Sequence, residues 1–289
     1  MSEHTSNRIF DIFNVLLITV VILLCLTPFI HIVAISLSSS RPIMAGLVSF
    51  IPVEFTLDAY SKVFADMSMI RSLGFTIFLT LLTTVLSMLM TIMAGYAMSK
   101  RNLRGRKWIM LIIVVTMFFS GGIIPDYILI RNLELLDSIW ALVLPNLISP
   151  FYMIILISFL HGIPESLEEA AEIDGSSHIG TLFRIILPLS LPVLATLSLF
   201  YAVGRWNGFQ DALMYISKPE LYPLQLKLYQ MIQNNQVSEM MQEGIGMAQM
   251  MPESLKAASV VFSTIPILIV YPFLQRYFIS GITAGAVKG

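Results

Sequence analysis

Six long apolar stretches punctuate the chain, at 13–35, 72–98, 108–130, 139–160, 188–210 and 257–280. Each is near the length of about 20 residues that a helix needs to cross a bilayer. Only helices and closed barrels satisfy their backbone in lipid, and spans of this length are helical. The pattern predicts an all-α polytopic membrane protein with six transmembrane helices, one domain over 1–289. The polar segments between the spans differ in length. Residues 36–70 contain Pro42, Pro52 and a helix start at Thr56, with Leu57, Tyr60, Val63 and Phe64 on one face. Residues 211–256 are polar, rich in Gln and Met, and contain Gly244 and Gly246.

Basic residues set the orientation. Lys100, Arg101, Arg104, Arg106 and Lys107 crowd the link between the second and third spans, which places that link in the cytoplasm. Both termini and the segment 161–187 are then cytoplasmic, and 36–70 and 211–256 are extracytoplasmic. Trp108 and Trp140 open spans at the level of an aromatic belt.

The segment 161–187 has its own periodicity. Ile163, Leu167, Ala170 and Ala171 form one helical stripe, and Glu165, Glu168, Glu169 and Glu172 form the opposite one. Pro164 suits the first helical position, and carboxylates in the first turns suit the positive end of the helix dipole. Asp174-Gly175 supplies a left-handed stop. Ser176 or Ser177 caps a second helix with Ile179, Leu182, Phe183 and Ile186 on one face. The result is an acidic, bent element at the membrane surface, suited to being gripped by another protein.

Composition agrees with a membrane protein: 56% of residues are hydrophobic and 12% charged. The net charge of -1 gives no basis for binding nucleic acid. The one cysteine, Cys25, lies in the first span, so there is neither a disulfide framework nor a thiolate metal site. His4, His31, His161 and His178 lack ligand spacing. No Gly-x-x-x-x-Gly-Lys-Ser/Thr phosphate cradle occurs, so an energy supply from ATP has to come from another subunit. The alternative is an ion-coupled secondary transporter. That class needs titratable groups deep in its spans. Asp11, Asp126 and Arg276 all fall near span ends, with Asp126 at the outer interface.

The order of residues at 169–188 resembles the EAA loop of ABC-importer permeases. The family pattern is Glu-Ala-Ala, three residues, Gly, nine residues, then Ile-x-Leu-Pro. Glu169, Ala170, Ala171, Gly175, Ile185, Leu187 and Pro188 stand at those spacings, and Asp174 and Phe183 match the fuller form of sugar importers. Ser176 departs from it, where Ala is usual. FTLDAY at 55–60, GYAMSKRNLRGR at 95–106, SGGIIPDYILI at 120–130, GRWNGFQDAL at 204–213 and YPFLQRYFISGITAGAVKG at 271–289 also resemble oligosaccharide permeases.

The resemblance implies a type I ABC importer transmembrane fold in the bacterial cytoplasmic membrane. It implies a second homologous permease, two ATPase subunits that bind ATP and Mg, and an extracytoplasmic solute-binding protein. It also implies that the chain itself carries no cofactor and is not an enzyme. Glu169 takes the role of the carboxylate facing a basic residue of the ATPase, and Gly175 sets the bend. The implied cargo is an oligosaccharide.

A sugar pathway needs aromatic faces beside hydrogen-bonding groups inside a bundle. Asn146, Ser149 and Tyr152 lie around Pro145 and Pro150, which can kink the fourth span. Arg205, Trp206 and Asn207 lie in the outer part of the fifth. The Arg205 fork suits a uronic acid carboxylate.

Overall fold

The computed structural model describes residues 2–119, 121–242 and 252–286. Among them the secondary structure is helical, apart from one isolated bridge that pairs Ser38 with Phe55. The chain divides into two compact units, Met1–Ile70 with Leu228–Ile265, and Arg71–Lys227 with Pro266–Gly289.

In the first unit, α1 (Ser2–Ser36) exposes nearly every large apolar side chain from Phe10 to Leu24. Such a face is stable only in lipid or against another apolar chain. The short α2 (Ser40–Met44) follows, and then α3 (Asp58–Ala65). Thr56 Oγ1 accepts from the Asp58 N–H at 3.2 Å, so Thr56 supports the helix start. Val63 is buried, while Leu57 and Phe64 are exposed, and Phe64 meets Phe262 edge to face at 5.4 Å. Tyr60 OH bonds Ser36 Oγ at 2.8 Å and fastens α3 to the end of α1.

The second unit is organised around α4 (Met67–Ser99) from Arg71 onward. This helix turns its hydroxyls inward. Ser72, Thr76, Thr83, Ser87 and Thr91 are buried, while Ile77, Phe78, Leu81, Val85, Leu89 and Met93 are exposed. In lipid the apolar face is the solvated one, and small polar residues are where helices touch. Thr91 Oγ1 bonds Tyr201 OH at 2.7 Å, and Tyr201 OH accepts from the Ser149 N–H at 2.9 Å. Thr76 Oγ1 accepts from the Leu224 N–H at 2.8 Å. A Cβ on Gly95 would stand 2.9 Å from Leu156 Cδ2, so glycine there permits close packing.

Three of the sequence spans are broken. The stretch 108–130 divides into α5 (Arg106–Phe118) and α6 (Ile123–Asn132), with Gly122 at φ 89° between them. The stretch 139–160 divides into α7 (Ile139–Val143), which a short 3-10 turn prolongs to Asn146, and α8 (Pro150–Leu160). The two halves meet at 46°, with Pro150 opening α8 as the sequence implied.

After α9 (Glu165–Ile173), α10 (His178–Thr181) passes through a π turn at Leu182–Ile186 into α11 (Leu187–Leu189). A bend of 83° at Ser190 then leads into α12 (Leu191–Asn207). Counting each bent pair as one span gives up to 6 spans.

The segment 211–256 is more helical than its polarity implied. It holds α13 (Gln210–Tyr215), α14 (Leu224–Gln242) and the start of α15 (Glu253–Ala286). Leu224, Leu226 and Leu228 are buried, which accounts for α14 ordering at its start. Gly244 and Gly246 lie outside the described residues.

Candidate functional site: a coupling loop and a membrane cavity

The loop from α9 to α11 has the hinge its sequence implied. Pro164 takes the cap position one residue before α9, with extended backbone (φ -58°, ψ 128°). Gly175 sits at φ 79°, in the left-handed region that disfavours other residues. The Ser176 N–H donates to the Ala171 carbonyl at 2.9 Å and closes the turn. Ser177 is the cap of the second limb, where its Oγ accepts from the Gly180 N–H at 3.2 Å.

The apolar stripe of the second limb divides. Leu182 and Ile186 pack with Tyr96, and Ile163 and Leu187 lie against that cluster. Ile179 and Phe183 remain 70% and 61% exposed, and Ile173 at the end of α9 is 87% exposed. The π turn accounts for the split, because its wider register rotates successive side chains away from a single stripe. Of the other motif residues, Ala171 is buried, Ile185 half-buried, and Ala170, Asp174 and Pro188 exposed.

The carboxylates of α9 also divide. Glu168 pairs with Lys100, whose ammonium lies 4.3 Å from the centroid of the Tyr96 ring. Glu165 pairs with Arg101 at 2.9 Å, and Glu172 lies 3.7 Å from His178. Glu169 is exposed and has no ion pair among the described residues. Burial pulls the Lys100 ammonium below its ordinary pKa, against the opposing pull of Glu172 and Glu165. These groups surround a cavity of about 850 Å³ between the basic link and the loop.

A second cavity, of about 570 Å³, lies within the same unit. Asn146, Ser149, Tyr152, Arg205 and Asn207 all line it. So do Thr83 of α4, Ile123 and Asp126 of α6, and Phe200, Tyr201, Phe209, Asp211 and Tyr215. Tyr152 meets Tyr201 edge to face at 4.8 Å and Phe200 at 5.6 Å, which gives one wall an aromatic surface.

Two expectations change here. Trp206 is buried and is not part of the lining. Arg205 lines the cavity, but its fork is occupied. Nη1 and Nη2 bind the two Asp211 oxygens at 2.5 and 3.0 Å, Nη1 also donates to the Leu142 carbonyl, and Nη2 to that of Gly208. The residue is only 6% exposed. A uronic acid carboxylate therefore finds no open guanidinium.

Sequence reasoning missed Asp211 and Asp126. An arginine followed six residues on by an aspartate across Asn207-Gly208 was the available signal for the first. For Asp126 it was the Gly121-Gly122 pair, which breaks the span and brings α6 to the cavity. The lining thus holds two carboxylates, of which Asp211 is paired with Arg205. Burial foremost, then Asp126 and Asp211, push the Tyr215 phenol above its ordinary pKa.

Residues 87–284 match the family model described as binding-protein-dependent transport system inner membrane component. The chain belongs to that family. Among curated relatives, the polygalacturonan/rhamnogalacturonan transport system permease protein YtcP of Bacillus subtilis (strain 168) is 41% identical over 287 residues. That match covers 98% of this chain and 100% of the relative. Protein LplC of the same organism is 40% identical and covers 100% of this chain and 98% of LplC. A solved structure of a bacterial ABC transporter involved in import of the acidic polysaccharide alginate matches with a TM-score of 0.85 at 34% identity. It covers 94% of this chain and 98% of that one. The chain has the type I ABC importer permease fold, and the matches to YtcP and LplC run nearly its full length.

Proposed function

We propose that the chain is one membrane subunit of an ATP-driven importer that moves oligosaccharides, acidic polysaccharide fragments among them, into the cell by alternating access. The observation that carries the reading is the asymmetry of the coupling loop. Glu165 and Glu168 are held by this chain's own cations, whereas Glu169 and the apolar side chains of Ile173, Ile179 and Phe183 face outward. One carboxylate beside an apolar patch fits a helix-in-groove contact with a partner that offers a cation.

In this reading, closure of two ATPase subunits around ATP and Mg pulls the loops of this chain and of a second permease together. The cavity then opens outward, toward a solute-binding protein. Both termini and 161–187 are cytoplasmic. Membership in a binding-protein-dependent family favours this over an ion-coupled carrier, as does a relative named for polygalacturonan/rhamnogalacturonan transport.

The cavity would pass sugar by stacking and hydroxyl contacts, through Tyr152, Phe200 and Asn146, and not through Arg205. Co-expression of this chain with its second permease, ATPase and binding protein tests the function. Loaded binding protein should stimulate ATP hydrolysis in proteoliposomes and drive uptake of radiolabelled oligogalacturonate. Uptake driven by an ion gradient without ATP would overturn the reading.

A further inference from the structure

We propose that Lys100, seated between the Tyr96 ring and Glu168, is a positioning residue that makes α4 and the coupling loop move as one body. The inference rests on the reading of 161–187 as the grip on the ATPase.

Tyr96 and Lys100 are four residues apart, at and just beyond the end of α4, and so lie on one face. They reach different limbs of the loop. Lys100 binds Glu168 of α9, before the hinge at Gly175. Tyr96 packs on Leu182 and Ile186 and donates from its hydroxyl to the His178 carbonyl at 3.4 Å, after the hinge. A loop held on one limb only would pivot at its glycine. Holding both limbs from a single helical turn removes that freedom.

The strength of the hold comes from partial burial. Lys100 and Glu168 side chains are 30% and 26% exposed, and the ammonium also faces an aromatic ring. The neighbouring Arg101–Glu165 pair is 70% and 64% exposed, a setting in which ion pairs contribute little.

The other end of the lever is the membrane cavity. Thr83 lines it and lies 17 residues before Lys100, about 25 Å along a helix. On the way, Ser87 Oγ donates to the Asn146 carbonyl at 3.4 Å and Thr91 bonds Tyr201. Asn146 and Tyr201 are both lining residues. A displacement of the loop thus passes along α4 to two walls of the cavity.

The test uses the whole transporter in proteoliposomes, with radiolabelled oligogalacturonate as probe. The readout is sugar moved per ATP hydrolysed, with co-purification of the ATPase recorded alongside. Lys100→Glu and Glu168→Lys should each lower the ratio by about tenfold, and the double exchange should restore it to within about threefold of wild type. Lys100→Met, which keeps the stem against the ring and removes the charge, should lower the ratio as well. A merely structural role would reduce the yield of complex and leave the ratio alone.

A wild-type ratio in both single variants, or a double exchange no better than the singles, overturns the proposal. Glu169→Lys, run in parallel, separates the two readings. If it disables transport while Lys100→Glu does not, only the clamp fails. If both transport normally, the grip itself is misplaced.

Discussion

Arg205 and Asp211 face each other fork to fork, with two nitrogens on two oxygens at 2.5 and 3.0 Å, across the turn that ends α12. Gly208 makes the geometry possible. A Cβ there would stand 2.9 Å from Arg205 Nη2. The pair is a structural brace in the wall of the cavity. Breaking a buried pair by removing one partner costs about 3–5 kcal/mol, because the other charge is left without compensation.

Arg205→Gln and Asp211→Asn should therefore lower the thermal unfolding midpoint in detergent. Uptake should fall equally for neutral and for acidic oligosaccharides. Arg205→Lys should also fall short of wild type, because an ammonium cannot reproduce the four bonds of the fork. A selective loss for acidic sugars with an unchanged midpoint would return Arg205 to the list of solute contacts.

The aromatic wall gives a second prediction. Tyr152→Ala and Phe200→Ala remove stacking surface and should reduce uptake by about tenfold at limiting sugar. That corresponds to the 1–3 kcal/mol that a stacking aromatic contributes on the scale known for base stacking. Co-purification with the ATPase should persist, since neither residue is near the coupling loop. Equal loss of assembled complex would mean that these rings hold the bundle and not the sugar.

Much of this architecture was legible from hydropathy, and the reason is physical. A bilayer demands long apolar runs with internally satisfied backbone, so spans stand out in a sequence. The hinge at Gly175 was legible for a similar reason, since Asp174-Gly175 is local turn chemistry. The breaks after Phe118 and Asn146 were less so, because a Gly pair or a proline inside an apolar run is compatible with a kink as well as a continuous span. The inward face of α4 was legible but went unread: Ser72, Thr76, Thr83, Ser87 and Thr91 are spaced by four or seven residues and so share one helical face. The packing of Thr91 on Tyr201 shows that this face is the interior one. The state of Arg205 was hidden because sequence cannot tell an open guanidinium from one already bound.

The coupling loop yields a third prediction. Gly175→Val places a β-branched residue at φ 79°, which costs on the order of 1–3 kcal/mol and forces the turn to a different angle. Glu169→Lys leaves the fold alone, since the side chain is exposed, but reverses the charge offered to a partner. Both should insert in the membrane. Glu169→Lys should lose the ATPase on purification, whereas Glu165→Gln, at an exposed ion pair, should retain it.

Topology is tested by labelling. In a Cys25→Ala background, Ser176→Cys occupies a half-buried position in the loop after α9, and Ser217→Cys an exposed one after α13. An impermeant maleimide added to whole cells should label the Ser217 variant only. Labelling of the Ser176 variant from outside would invert the orientation drawn from the basic link at 100–107.

The residues around the two cavities form disjoint sets: none that surrounds the loop-side cavity also lines the membrane one. Variation in diet and variation in engine are therefore separable problems for such a chain. On the function proposed above, substitutions that reshape the aromatic wall toward a new polysaccharide leave every residue around the loop-side cavity unchanged, and a lineage can diversify its menu while keeping one motor. Exchange of 161–190 between two such permeases should accordingly transfer the choice of ATPase without transferring the choice of sugar.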